Sequence, residues 1–279
     1  MSDSSTRPTF DRIALVFDWD GTLAADSYDA ILRHKGEDPE RFRAERLEPL
    51  VEDEGWEGAL ARLFLLEELG VTEDDLRGCG EDLELLPGVD TVFDALRDHV
   101  AERIEGVDLE LYIVSAGLMR IIEASPASAQ FDKIWACECH FDDEGRVRAA
   151  KKIVTHAEKA NYLLQIARGL DEVQGNPPDP FADFDEERLH VPIDHMVYVG
   201  DGLSDLPAFA LMAERGGIAL ALNKDDGDWS MSEDAEGLYK VDNILRPDYS
   251  EGSDLRTALC HAVDNVVSRI AIRRLRTHD

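Results

Sequence analysis

The densest concentration of chemistry-bearing residues lies near the start of the chain, in Val16-Phe17-Asp18-Trp19-Asp20-Gly21-Thr22-Leu23. Asp18 and Asp20 stand two residues apart, where an apolar run gives way to a Gly-Thr turn. On a strand, residues i and i+2 point to one face, so both carboxylates are expected to converge on the same side. A second acidic group, Gly200-Asp201-Gly202-Leu203-Ser204-Asp205, also follows an apolar run. Its glycines let the backbone turn sharply and leave a carboxylate exposed. Between the two, Val114-Ser115-Ala116-Gly117 sets a hydroxyl and small residues after a third run and before a helix, a pattern suited to cradling an anion. Taken singly, an Asp or Ser at a strand end commonly caps a turn or a helix. Taken together, Asp18, Asp20 and Asp201 would repel one another in a chain whose formal charge is −31, so a bound cation is the economical explanation.

Such residues need strands to hold them. Short apolar runs recur at 13–17, 109–114, 134–137, 196–199 and, last, 218–222. Near-continuous apolar runs of this length suit strands buried on both faces of a parallel sheet. Helical patterns such as 89–104 and 156–167 lie between them, so the expected class is α/β with a doubly wound sheet. Ligands bind such sheets at the carboxyl ends of the strands. Residues 26–86 break the alternation with helical patterns at 27–33, 39–51, 56–69 and 73–85, and no strand candidate interrupts them. A small helical cap over 26–86, with a core made of 1–25 and 87–279, is the expected organisation. Leu86-Pro87-Gly88 punctuates the return. The proline-rich, acidic stretch 175–192 reads as a surface loop. Residues 254–276 read as one amphipathic helix built on Leu255, Leu259, Val263, Val266, Val267 and Ile270, with a basic end (Arg269, Arg273, Arg274, Arg276) that complements the helix dipole or meets a partner.

The run from Asp18 to Thr22 resembles the DxDGT signature of the haloacid dehalogenase-like (HAD) superfamily, in its phosphoserine-phosphatase-like branch. Ser115 matches the Ser/Thr of that family's second motif, and Asp201 to Asp205 matches its GDGxxD motif. Phosphoserine phosphatases often carry Asn where this chain has Ser204. The third motif is a lysine, for which Lys151, Lys152 and Lys159 are candidates. Lys159 opens an amphipathic helix in Glu158-Lys159-Ala160-Asn161-Tyr162-Leu163-Leu164-Gln165-Ile166, which resembles the phosphatase K-x3-L-x2-I arrangement, whereas Lys151-Lys152 reads as a solvated turn. The segment 247–253 also resembles one in uncharacterised members of this branch. The resemblance implies that Asp18 attacks phosphorus to form an aspartyl-phosphate while Asp20 serves as acid and then base. It implies Mg2+ held by Asp18, Asp201 and the backbone carbonyl of Asp20. Ser115, Ala116, Gly117 and Lys159 would hold the phosphoryl oxygens, with Thr22 and Asp205 supporting from outside. Dehalogenases generally lack an acid at the position of Asp20. A phosphomutase or other phosphotransferase is the alternative enzyme, and a catalytically idle binding module is the alternative outside enzymes.

Composition narrows the setting. There are 34 Asp and 26 Glu against 22 Arg and only 7 Lys, spread along the whole chain. Self-repulsion of this size destabilises a compact state unless salt screens it, and scarce lysine beside abundant Asp resembles proteins of salt-in halophiles. Binding to nucleic acid by bulk electrostatics is disfavoured. No run is apolar for long enough to span a membrane, and the start lacks a signal-peptide pattern, so a cytoplasmic protein is expected. Cys79, Cys137, Cys139 and Cys260 form no disulfide framework, and Cys137-x-Cys139-His140 lacks a second half for zinc. The expected partner is a small phosphorylated substrate. Its leaving group is not specified, although Arg33, His34, Arg41, Arg43 and Arg46 in the cap could meet an acidic one. The oligomeric state is unreadable.

Overall fold

Ile13 to Phe17 are buried on both faces, and they form the middle of strand β1 (Arg12–Phe17) at the centre of the sheet. A computed structural model of the chain describes residues 10–169, 189–223 and 240–275. The other described strands are β2 (Asp108–Leu118), β3 (Lys133–Phe141), β4 (Val147–Lys152), β5 (Met196–Gly200), β6 (Ile218–Leu222) and β7 (Asn243–Leu245). They form one sheet in the order β4-β3-β2-β1-β5-β6-β7, parallel throughout except for the β3–β4 pair. The fold is thus α/β with a doubly wound sheet. Phe17 stands opposite both Ile113 and Val199 in the two ladders flanking β1. The register therefore sets Asp18 after β1, Ser115 within β2 and Asp201 after β5 at nearly one level of the sheet.

Four α-helices lie within the segment 26–86 that follows β1: α1 (Ser27–His34), α2 (Pro39–Phe42), α3 (Gly58–Glu68) and α4 (Glu73–Asp82). The stretch expected as one helix over 39–51 is instead α2 followed by two π-type turns, Arg43–Leu47 and Pro49–Asp53. Pro49 has no N–H to donate, so an α-helical ladder cannot run through it. The pattern at 56–69 forms its helix only from Gly58, because Glu57 caps it through the N–H groups of Ala59 and Leu60. The linkers into and out of this segment pair with each other: Ala25 N–H donates to Glu84 O (2.9 Å) and Leu86 N–H to Leu23 O (2.9 Å). Helices α5 (Val89–Arg103), α6 (Met119–Ala124), α7 (His156–Arg168), α8 (Leu206–Arg215) and α9 (Asp254–Leu275) complete the described elements.

Three expectations need correction. Strand β2 runs through Ser115 to Leu118, so Ala116 and Gly117 end a strand and α6 begins only at Met119. Lys151 and Lys152 do not lie in a turn; they end β4, an antiparallel edge strand joined to β3 through Asp142 to Gly145. Its outward Arg and Lys residues suit an edge and hide its strand character. A further strand, β7, follows the last expected one. The basic end of α9 docks rather than dangles: Arg269 donates to Asp194 O (2.9 Å), and Arg274 to Glu105 O (2.9 Å) and Gly106 O (2.8 Å). Of the expected loop, 175–188 lies outside the described residues, as do 1–9 and Arg276. Cys137 and Cys139 are free and buried on β3. Among the described residues no helix is long and apolar enough to cross a membrane.

Candidate active site

Asp18 sits one residue beyond β1, with its N–H held by Val199 O of β5 (2.9 Å). It is 5% exposed, and its Oδ1 accepts the N–H of Trp19 (2.7 Å). The next turn is built by backbone: the N–H groups of Thr22, Leu23 and Ala24 all point to Trp19 O. Thr22 enters through that N–H and its own carbonyl, while its buried hydroxyl has no hydrogen-bond partner. Gly21, at φ +76°, supplies the left-handed residue the turn requires.

Lys159 is the lysine that reaches this site. Helix α7 carries it into the interior, fully buried, with Nζ 2.8 Å from Asp18 Oδ2 and 2.7 Å from Asp205 Oδ1. Burial alone would discharge it, but the Asp18 and Asp205 carboxylates outweigh that and hold its pKa above the usual lysine range. Lys151 pairs with Glu138 at the surface, and Lys152 lies over the Tyr162 ring.

Carboxylate oxygens of Asp18, Asp201 and Asp205 lie within 4.8 Å of one another. Asp205 is already engaged: Oδ1 accepts from Lys159 and the Tyr198 hydroxyl, and Oδ2 from the N–H of Gly202 (3.2 Å). Burial first, then the Asp205 carboxylate, keeps the Tyr198 phenol protonated and hence a donor. Asp205 therefore shapes the Gly200-to-Asp205 turn and anchors Lys159. Hard carboxylate oxygens at this spacing suit a small divalent cation.

Asp20 lies on the other side of the turn. Its Oδ1 accepts the N–H of Ser27 (2.8 Å), and Gly117 packs so closely that a Cβ there would come within 2.7 Å of Asp20 Oδ2. Burial pushes the Asp20 carboxyl up to about 7; Asp26 and Asp18 add to this and Ser27 opposes it. Ser115 is buried beside it, its Oγ accepting from Gly117 N–H (3.0 Å).

A cleft of about 340 Å³, open mouth included, begins at Asp20 and Gly117 and runs under the helices inserted after β1. Its wall carries Ser27, Tyr28, Arg62 and Leu63. The Tyr28 hydroxyl and Arg62 Nε are buried without hydrogen-bond partners, and the Arg62 guanidinium lies 5.6 Å from the Tyr28 ring centroid. Sequence reasoning missed both. The basic residues it singled out pair with neighbours instead: Arg33 with Asp29, His34 with Asp75, Arg41 with Glu45, Arg43 with Asp26 and Asp29, and Arg46 with Glu68. The available signal was a single arginine inside the apolar run Ala59-Leu60-Ala61-Arg62-Leu63-Phe64-Leu65-Leu66.

Residues 13–160 match the profile of the family described as Putative Phosphatase. The chain belongs to this family. The matched region of this phosphatase-family chain contains Asp18, Asp20, Ser115 and Lys159. A curated relative, an uncharacterised protein of Borreliella burgdorferi, is 23% identical over 150 residues, which are 48% of this chain and 50% of that protein. The chain thus matches about half the length of that relative. Among solved structures the fold is similar to a HAD family hydrolase from Salmonella enterica subsp. enterica serovar Typhi (TM-score 0.59, 18% identity, 87% of this chain and 69% of that one). It is also similar to a phosphoserine phosphatase with an analogue of its phospho-aspartyl intermediate (TM-score 0.58, 18% identity, 90% of this chain and 99% of that one). A probable phosphoserine phosphatase from Vibrio cholerae is comparable (TM-score 0.60, 18% identity, 95% of this chain and 68% of that one). The architecture of this family member is that of the HAD-fold phosphatases.

Proposed function

We propose that this chain is a Mg2+-dependent phosphomonoester hydrolase that works through an aspartyl-phosphate and acts on a small phosphorylated metabolite. The observation that carries the reading is the meeting of Asp18, Lys159 and Asp201 at the carboxyl ends of β1 and β5, with Asp20 and Ser115 alongside. Asp18 attacks phosphorus and the bond to the leaving oxygen breaks, while Asp20 gives that oxygen its proton. Asp20 then takes a proton from the water that displaces the Asp18 carboxylate, which releases inorganic phosphate. Lys159, the Ser115 hydroxyl and the N–H of Ala116 hold charge on the transferred oxygens, and the N–H of Gly117 orients Ser115 Oγ toward them. Asp18 and Asp201, with the carbonyl of Asp20, would hold Mg2+, which offsets repulsion between the nucleophile and the phosphate.

Residues 26–86 act as the lid over this centre, and the cleft beneath them receives the leaving group. Arg62 Nε and the Tyr28 hydroxyl are donors without a partner, and among the described residues Arg62 is the cation on that wall. This composition favours the phosphate ester of a hydroxy acid over that of an amino alcohol. The acidic surface suits a cytoplasm rich in salt, so the assay belongs in molar potassium chloride. Phosphate release from an aryl phosphate should require Mg2+ and disappear in Asp18→Asn. A folded wild-type protein that releases no phosphate from aryl or metabolite esters would overturn the reading.

A further inference from the structure

Tyr249 lies in the segment 247–253, which the chemistry above leaves unused, yet it is fully buried beneath the catalytic turn. Its hydroxyl donates to the carbonyl of Thr22 (2.9 Å), across 227 residues of sequence. Its N–H donates to the carbonyl of Pro87 (2.7 Å). One residue thus grips both linkers of the helical insert, the outgoing one at Thr22 and the returning one at Pro87. Its ring packs against Phe17, the residue before Asp18, at 6.5 Å between centroids. The grip leaves no slack at Gly88, where a Cβ would fall 2.3 Å from the Tyr249 carbonyl carbon and 2.4 Å from Ser250 N.

The segment around Tyr249 is itself braced. Ser250 N–H donates to Asp248 Oδ1 (2.8 Å), Ser253 Oγ donates to Asp248 O (2.6 Å), and Ser253 Oγ accepts the N–H of Arg256 at the start of α9 (3.2 Å). Helix α9 is anchored in turn by its buried apolar face. The tyrosine therefore projects from a fixed base onto a turn otherwise held by local backbone bonds and, from a distance, by Val199 O at Asp18 N–H and by Leu86 N–H at Leu23 O.

We propose that Tyr249 is a positioning residue. It fixes the turn that presents Asp18 and Asp20 and ties that turn to the linker returning from the insert, so that the pairing of Ala25 with Glu84 and of Leu86 with Leu23 stays in place. The inference rests on the proposed phosphatase reading for its kinetic arm only.

The test compares Tyr249→Phe with Tyr112→Phe, which removes a hydroxyl that donates to Glu110 on β2, away from the turn, and serves as the matched control. With an aryl phosphate, Tyr249→Phe should lower kcat about five- to tenfold, the size of one hydrogen bond, and leave KM within about twofold. The control should change neither. Amide exchange supplies the arm that needs no turnover: the N–H groups of Ala25 and Leu86 should exchange several-fold faster in Tyr249→Phe and at wild-type rates in Tyr112→Phe. Unchanged exchange at both amides in folded Tyr249→Phe overturns the proposal, as does an equal fall of kcat in the control. If the wild type hydrolyses no phosphate ester, the phosphatase reading fails, and the exchange of Ala25 and Leu86 decides the role of Tyr249 by itself.

Discussion

At the scale of single residues, the site depends on side chains too short to leave room for error. Gly117 is the clearest case, because a methyl group there would displace the end of the Asp20 side chain rather than any backbone. Gly117→Ala is therefore expected to lower kcat at least tenfold with a small change in thermal midpoint. A large loss of stability with normal turnover of the surviving fold would contradict this account. Lys159 is the opposite case, since its removal leaves Asp18 and Asp205 buried without their shared cation. Lys159→Met should destabilise the protein by about 3–5 kcal/mol, the usual result of breaking a buried pair from one side. Mg2+ should restore part of that stability by occupying the same carboxylates, as denaturant titration with and without the ion would reveal. Arg62 belongs here too. If it recognises an anionic leaving group, Arg62→Met should raise KM for a phosphorylated hydroxy acid far more than for an aryl phosphate whose leaving group carries no carboxylate.

At the scale of elements, the question is how the inserted helices sit on the sheet. Helix α4 meets α6 at Gly80, where a Cβ would fall 2.3 Å from the carbonyl oxygen of Ile121 and 2.8 Å from Ala124 Cβ. Alanine in place of a mid-helix glycine normally gains about 1 kcal/mol of helix propensity. Here the obstacle is backbone that cannot rotate away, so the clash outweighs the gain. Gly80→Ala is expected to destabilise by about 1–3 kcal/mol, the range for overpacking, which thermal or urea unfolding would measure. A second tie runs from the insert to the β3–β4 hairpin, where Glu73 N–H donates to Gly145 O (2.8 Å) and Val147 N–H to Val71 O (2.9 Å). The insert therefore has a firm footing on one side and the open cleft on the other.

At the scale of the whole molecule, charge sets the dependence on solvent. With a net formal charge of −31, stability should rise as potassium chloride is raised from about 0.1 M toward molar levels, because the Debye length falls from about 10 Å to 3 Å. A thermal midpoint that does not move with salt would count against the halophilic reading. Acid acts at a separate point, at the end of the sheet away from Asp18. His195 is fully buried there, against Arg273 and the Phe10 ring. Burial pushes its imidazole down to about 4, with Arg273 and Arg269 acting in the same sense and Asp194 opposing. An unfolded histidine binds its proton near pH 6.5, so this contribution is complete above that pH and is lost as pH falls toward 4. The slope is about 1.4 kcal/mol per pH unit for one proton, or about 3 kcal/mol across the window. Asp20, raised to about 7, acts in the opposite sense over this window, so the test is a difference: urea unfolding from pH 7 to pH 5 should lose more stability in the wild type than in His195→Gln.

What the amino-acid sequence determined by itself was the local part of this protein. Apolar runs of strand length produced β1, β5 and β6, and the two-residue spacing of Asp18 and Asp20 at the end of such a run pointed to the sheet edge where Asp18, Lys159 and Asp201 meet. Those features depend on neighbours along the chain, so they are legible there. The tertiary structure decided the rest. Strand β4 was hidden because an edge strand with outward lysines has no apolar run to display. Arg62 and Tyr28 come from different helices, and although Arg62 stands alone in an apolar run, nothing local shows that the two share one wall of the cleft. Tyr249 meets Thr22 only because α9 docks on the sheet and carries the preceding segment under the catalytic turn. Contacts between residues so far apart follow from the whole packing of the core, and no short window of sequence contains both partners.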